Sequence, residues 1–327
     1  MRFLITGSAG FIGFHLTQRL LADGHAVLGI DGMTPYYDPA LKRRRHELLT
    51  AFPQFAAREL MLADNARLAD AVAEAAADIV VHLAAQAGVR YSAENPRAYI
   101  ESNVVGAFNL LETLRTHPCK HLLLASTSSV YGANAQQPFE EHHCSDRPLS
   151  LYAATKKATE VIAHSHAHLF GLPITVMRLF TVYGPWGRPD MALFKFTANI
   201  IAGTPIEVYG AGKMTRDFTY VDDVVEAICR LADRPPAVQP ADAANAPYRV
   251  VNIGNGSPVG LEDFIATIER VIGRRAVRRL LPVQPGDVPA TFASTAVLEA
   301  LTGFRPRTPL ADGVRVFVEW YRDYYQV

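Results

Sequence analysis

The sequence predicts an α/β fold: a doubly wound parallel sheet followed by a smaller C-terminal α/β lobe. Three observations carry this reading. Short apolar runs alternate with helical patterns through the first half of the chain. A glycine-rich turn joins the first run to the first helix. Beyond residue 180 the alternation gives way to proline and glycine, as in Gly184-Pro185-Trp186-Gly187-Arg188-Pro189. Strand–helix alternation implies parallel strands with helices on both faces, because each parallel connection needs a right-handed crossover.

Residues 3–5, 27–30, 59–62, 79–82, 122–125 and 174–178 read as strands from their short apolar runs. Residues 11–22, 68–76, 96–115 and 150–170 read as the helices between and after them. In the second half, 250–253 reads as a strand, and 261–272 and 310–325 as helices. Residues 233–247, rich in proline and alanine, read as a surface loop. The expected division is residues 1–180 for the first domain, with some later segments returning to it. Residues 181–327 then form a lobe over the carboxyl ends of the strands, where such sheets bind ligands.

The 327 residues carry 32 basic and 32 acidic side chains, a net charge of zero that argues against nucleic acid as a partner. The basic run at 42–46 leads into Glu47-Leu48-Leu49 and reads as a solvated helix face rather than an anion patch. Cys119, Cys144 and Cys229 lie far apart with no CxxC, which suits reduced thiols and a cytoplasmic location. The N-terminus has no signal-peptide layout, and no apolar run reaches membrane-spanning length. His164 and His168 would share a helix face, but with no carboxylate or cysteine set beside them no metal site is expected.

The turn after the first strand reads Thr6-Gly7-Ser8-Ala9-Gly10-Phe11-Ile12-Gly13. Gly7 permits a tight turn, Gly10 lets backbone N–H groups near Phe11 and Ile12 approach a diphosphate, and Gly13 allows close packing of helix on sheet. This is the context of a Rossmann-like dinucleotide site, with GxxGxxG spacing. Asp31 ends the second strand, eighteen residues after Gly13. A carboxylate there accepts bonds from ribose hydroxyls and repels a 2′-phosphate, so NAD is favoured over NADP. Topology alone places Asp64, after the third strand, near the adenine. It also places Leu83-Ala84-Ala85-Gln86, after the fourth, along the dinucleotide.

Tyr152 and Lys156 stand four residues apart at the start of a helix, which puts phenol and ammonium on one face. A nearby ammonium and the positive nicotinamide ring would lower the phenol pKa and make Tyr152 a general base toward a sugar hydroxyl. Thr127, in Ser126-Thr127-Ser128-Ser129, could share that proton. Ser126 is expected to serve the strand end and the cofactor side.

The glycine loop, Asp31, the Thr127/Tyr152/Lys156 trio and Val130-Tyr131-Gly132 resemble the extended short-chain dehydrogenase/reductase family of nucleotide-sugar enzymes, over essentially the whole chain. Longer strings, among them Gly88-Val89-Arg90 after Ala87 and Trp186-Gly187-Arg188-Pro189-Asp190-Met191, are similar to the branch that epimerises UDP-glucuronate at C4 to UDP-galacturonate. The resemblance implies a tightly bound NAD that takes hydride from C4 and returns it to the other face of a 4-keto sugar. It implies Thr181 and Arg188 near the uronate group, with Gly88, Val89, Arg90, Ser128, Met191 and Val208 also toward the substrate. Arg216 would meet the diphosphate of UDP, and Asp287 would lie near the nucleotide ribose. Gln284 replaces the arginine that related UDP-galactose epimerases carry three residues before that aspartate. Asn103 is expected near the nicotinamide. Family members are commonly homodimers built through the helices at 96–115 and 150–170.

Four other readings compete. UDP-glucuronate decarboxylases place a glutamate just before Val-Tyr-Gly, and nucleotide-sugar 4,6-dehydratases place Asp-Glu there. This chain has Ser128-Ser129, which carry no titratable acid. Epimerases of UDP-galactose or UDP-N-acetylhexosamine lack the reason for Arg188. A non-catalytic NAD sensor, a different class altogether, would have no use for Tyr152 and Lys156.

Overall fold

The computed structural model describes residues 1–238, 245–283, 288 and 290–327. Its main sheet contains β1 (Arg2–Thr6), β2 (Ala26–Asp31), β3 (Phe55–Glu59), β4 (Ile79–His82), β5 (His121–Thr127), β6 (Ile174–Leu179) and a late strand at Tyr248–Ile253. The spatial order is the late strand, β6, β5, β4, β1, β2, β3, and every pairing is parallel. The order reverses beside β1, so the carboxyl ends of β1 and β4 flank a crevice, the place where open α/β sheets take ligands.

Both faces of the sheet are covered. Helices Phe11–Ala22 and Val221–Ala232 close one, burying Phe14, Leu16, Val224 and Ile228 against Ile5, Val81 and Leu123. Helices Asn65–Ala75, Gly106–Thr116 and Leu151–Phe170 close the other over Leu4, Val80, Leu122 and Leu124. Adjacent residues of one strand therefore serve opposite cores, which is why these strands read as continuous apolar runs. A separate core, with Phe194, Phe264, Ile268 and Phe317, holds the smaller lobe together. Its strands are Thr181–Tyr183, Thr215–Tyr220, Pro258–Gly260 and Ala290–Thr291, beside a pair formed by Ile206–Tyr209 and Arg278–Leu281.

Three expectations change. The third strand is Phe55–Glu59, not 59–62. It is the sheet edge, so its own side chains are largely exposed, while Leu60 and Leu62 just beyond it are buried and supplied the apolar signal. The helix expected over 96–115 is divided into Pro96–Tyr99, a π-helical stretch at Ile100–Val105, and Gly106–Thr116. The basic run lies on a helix, Pro39–Leu49, but it is not wholly solvated: Lys42 and Arg45 are buried. Part of the loop at 233–247 lies outside the described residues. No described helix is long and apolar enough to cross a membrane.

Candidate active site

One cavity collects most of the residues singled out from the sequence. Gly7, Gly10, Phe11, Ile12, Gly13, Asp31 and Leu83-Ala84-Ala85-Gln86 line it from one side. Ser126, Thr127, Tyr152, Lys156, Arg188 and Met191 line it from the other. The first set comes from the ends of β1, β2 and β4. The second comes from the end of β5, the start of helix Leu151–Phe170, and a loop after β6.

The glycine turn fits a dinucleotide by exclusion of side chains. Gly7 has φ +79°, and a Cβ on it would stand 2.8 Å from the Ala84 nitrogen. A Cβ on Gly13 would stand 2.0 Å from the Gly7 oxygen, so the helix can lie this close to the strand only with glycine there. Helix Phe11–Ala22 begins at Gly10 with no side-chain cap, leaving its first N–H groups without an internal side-chain acceptor. The Asp31 carboxylate accepts from the Ala9 N–H at 3.1 Å and the Met33 N–H at 2.9 Å, which fixes it at the mouth of the turn.

The catalytic candidates sit where Thr127 ends β5 and Tyr152 opens the next helix, whose N-cap Ser150 accepts from Ala153 N–H at 3.1 Å. Burial pushes the Tyr152 phenol up, and the Arg188 charge and a hydrogen bond with Thr127 pull it down. Arg188 thus adds a cation beside the phenol that the sequence reading did not place there, in the same cavity as Lys156. Burial lowers the Lys156 ammonium to about 8, with the Glu160 carboxylate working against that. Ser126 donates to Glu160 at 2.5 Å, and Glu160 is held by Arg178 at 2.8 and 3.0 Å. Tyr152, Lys156 and Glu160 therefore follow one another along one helix face, four residues apart.

Asn103 does not line the cavity; it braces it. Its amide accepts from the Gln86 N–H at 2.7 Å and donates to the Gln86 carbonyl at 3.0 Å and to Thr155 at 3.0 Å. It lies within the π-helical stretch, and such bulges frequently sit at functional sites.

Several expected contacts fall elsewhere. Asp64 is exposed and caps helix Asn65–Ala75 by accepting from the Arg67 N–H; its neighbours Leu60, Met61 and Leu62 line the cavity. Val208 is fully buried in the core of the smaller lobe, and its side chain is closed to a ligand. Ser128 opens a 3-10 turn, Ser128–Tyr131, just past the cavity lining. Thr181 lines a smaller adjoining cavity with Arg188 and Met191. Gly88 has φ +105°, and the Gly88 and Ala87 carbonyls accept from Tyr99 at 2.6 and 2.8 Å. Ser92 donates to the Val89 carbonyl at 2.6 Å. The Arg90 guanidinium lies 4.3 Å from the Tyr209 ring centroid. Arg216 is half-buried on the strand Thr215–Tyr220. Asp287 and Gln284 lie outside the described residues.

The sequence reading missed what surrounds the glycine turn. Arg45 donates to the Ala9 carbonyl at 2.7 Å and the Trp186 carbonyl at 2.5 Å, linking the turn to the loop that carries Arg188. Lys42 donates to Thr34 and stands 4.0 Å from Asp31. Lys42, Arg45, His46 and Leu49 recur at helical spacing behind Asp38-Pro39, a capped helix start, so a signal was there. Tyr36, which donates to Asp190 at 3.1 Å, had none. Outside the cavity, Glu140, His142 and His143 bring possible ligand atoms within 4.8 Å of one another. His143 Nδ1 already accepts the Glu140 N–H at 3.1 Å.

The model of the NAD dependent epimerase/dehydratase family matches residues 3–254. Over an alignment of 335 positions the chain is 55% identical to the probable UDP-glucuronate 4-epimerase of Rhizobium meliloti, spanning 100% of this chain and 98% of that protein. It is 44% identical to UDP-glucuronate 4-epimerase 1 of Arabidopsis thaliana, spanning 98% of this chain and 77% of that protein. It superposes on the crystal structure of the UDP-glucuronic acid 4-epimerase of Bacillus cereus, in complex with UDP-glucuronic acid and NAD, with a TM-score of 0.91. That match has 30% identity and covers 99% of this chain and 100% of that one. With its parallel sheet, its glycine turn and its Tyr152–Lys156 face, the chain belongs to the NAD dependent epimerase/dehydratase family.

Proposed function

We propose that the protein interconverts UDP-glucuronate and UDP-galacturonate at C4. The observation that carries this is the convergence of Tyr152, Thr127 and Arg188 on one cavity with the glycine turn. Tyr152 accepts the proton of the sugar 4-hydroxyl, with Thr127 sharing its hydrogen bond. Bound NAD supplies reversible hydride chemistry at C4. Lys156 holds positive charge beside the cofactor end of the cavity. Ser126, whose hydroxyl donates to Glu160, lines the same cavity. Arg188 meets the uronate carboxylate through charge-assisted bonds. Restraining that carboxylate matters because a β-keto acid loses carbon dioxide readily. Ser128 and Ser129 offer no acid to drive elimination or decarboxylation. The expected division of labour leaves cofactor contacts to residues 1–180, with the late strand at Tyr248–Ile253 and helix Val221–Ala232 completing that domain. The UDP contacts fall to the lobe, at Arg216 and Asp287.

Incubation of the purified protein with UDP-glucuronate, followed by NMR of the sugar region, tests the assignment. UDP-galacturonate is expected as the product. No product, or UDP-pentose as the main product, overturns it. The same reading includes a homodimer, with the helices Gly106–Thr116 and Leu151–Phe170 presenting exposed Phe108, Val161, Leu169 and Phe170 to a second copy.

A further inference from the structure

Arg188 does not stand alone in the cavity. Its Nε donates to Asp190 Oδ1 at 3.0 Å and its Nη2 to Asp190 Oδ2 at 2.5 Å. These two bonds use one edge of the guanidinium; Nη1 takes no part in them. The two residues are separated only by Pro189, and the Met191 N–H bonds back to the Arg188 carbonyl at 3.1 Å. Tyr36, from the loop after β2, donates to Asp190 Oδ2 at 3.1 Å, with its ring 6.0 Å from the guanidinium carbon. Tyr36 is itself confined, since a Cβ on Gly88 would stand 2.4 Å from its hydroxyl.

We propose that Asp190 is the positioning residue for Arg188: it grips the Nε edge and leaves Nη1 to receive the uronate carboxylate beside Tyr152. This rests on the function proposed above. An arginine side chain loses much rotamer freedom when a ligand fixes it. Holding the guanidinium beforehand removes part of that cost from substrate binding. The pairing also answers an electrostatic need. A half-buried cation left without a partner is costly, and a neutral sugar would leave it so. Burial raises the Asp190 carboxyl and the bonds from Arg188 bring it below its ordinary value, so it stays ionised at neutral pH. Burial lifts the Tyr36 phenol to about 12, so it remains a donor. Asp190 also offsets part of the charge that Arg188 projects onto Tyr152.

The test is Asp190→Asn in the NAD-loaded protein, with Tyr36→Phe as a second variant that leaves the Arg188–Asp190 pair intact. Asp190→Asn should raise KM for UDP-glucuronate about tenfold or more, the effect of weakening a charge-assisted pair. Removing its charge leaves Arg188 uncompensated, so the acid limb of kcat/KM should move about one unit to lower pH. Tyr36→Phe should raise KM less and leave the limb in place. Thermal unfolding and retained NAD report folding. An unchanged KM and limb in Asp190→Asn overturns the proposal, as does a loss that merely tracks a lowered Tm. An inactive wild type would remove the function reading instead. Calorimetric titration with UDP-glucuronate then decides this one: equal affinity in wild type and Asp190→Asn overturns it, and about tenfold weaker binding in the variant supports it.

Discussion

Tyr152, the base of the proposed reaction, sits in surroundings that work against that role. Burial favours the neutral phenol, so the charged form depends on Arg188 and Thr127 in the chain itself. Tyr152→Phe should lower kcat by about 10²–10⁴-fold, the usual weight of general base catalysis, with Tm close to wild type. A variant that kept wild-type turnover would remove the phenol from the chemistry. Lys156 gives a second prediction at this scale. Its folded pKa, about 8, lies below the ordinary lysine value, so the unfolded chain binds more protons between the two. Stability should therefore rise with pH across roughly 8 to 10.5 from this residue, by roughly 3 kcal/mol in all. Lys156→Met should gain Tm over wild type near pH 7 and lose that advantage by pH 10. Equal differences at both pH values would sink the argument. That these two residues share a helix face was legible from their spacing, and both line the cavity. Tyr36 was not legible, since its role depends on a partner 154 positions away.

At the scale of elements, repetitive apolar patterns were readable and edges were not. The six early strands appear in the sequence, yet the edge strand β3 was displaced by its better-buried neighbours Leu60 and Leu62. The π-helical stretch left no mark on periodicity. Its consequence is local: it lets Asn103 reach both backbone groups of Gln86 and the Thr155 hydroxyl. Asn103→Ala would leave the buried Gln86 N–H without an acceptor, at about 1–3 kcal/mol. The cost should appear as lower stability and faster loss of NAD on gel filtration, because Gln86 lines the cavity. Unaltered NAD retention would confine Asn103 to a structural role. The basic helix Pro39–Leu49 teaches the converse. Charge suggested solvent, but Arg45 is fully buried because two backbone carbonyls and the Tyr37 hydroxyl receive it.

Across the whole molecule, the exposed apolar side chains on helices Gly106–Thr116 and Leu151–Phe170 lead to a statement about assembly. If they pair two copies, Phe108→Glu should shift the mass seen by light scattering from dimer to monomer. Wild type running as a monomer would already refute it. The strand–helix alternation of the first half was legible, whereas which later strand joins the main sheet, Tyr248–Ile253, was a matter of long-range pairing. The segment from Pro185 to Asp190 shows why the boundary at 180 is a boundary of sequence more than of mechanics. His15 donates to Pro185 at 2.8 Å, Arg45 to Trp186, and Tyr36 to Asp190. Burial holds His15 down to about 4, so that bond survives neutral pH with an uncharged ring. Trp186, at φ +58°, is held in a backbone conformation that few tryptophans adopt. Three tethers and a strained residue fasten this stretch to the first domain, although it belongs to the second by position. If Arg188 receives the sugar acid and the lobe the nucleotide, as proposed, the two recognitions are separable parts for an engineer. On that proposal, exchanging the lobe segments that follow Met191, while keeping helix Val221–Ala232 and strand Tyr248–Ile253, should change the base preference and keep the host's preference for the acid.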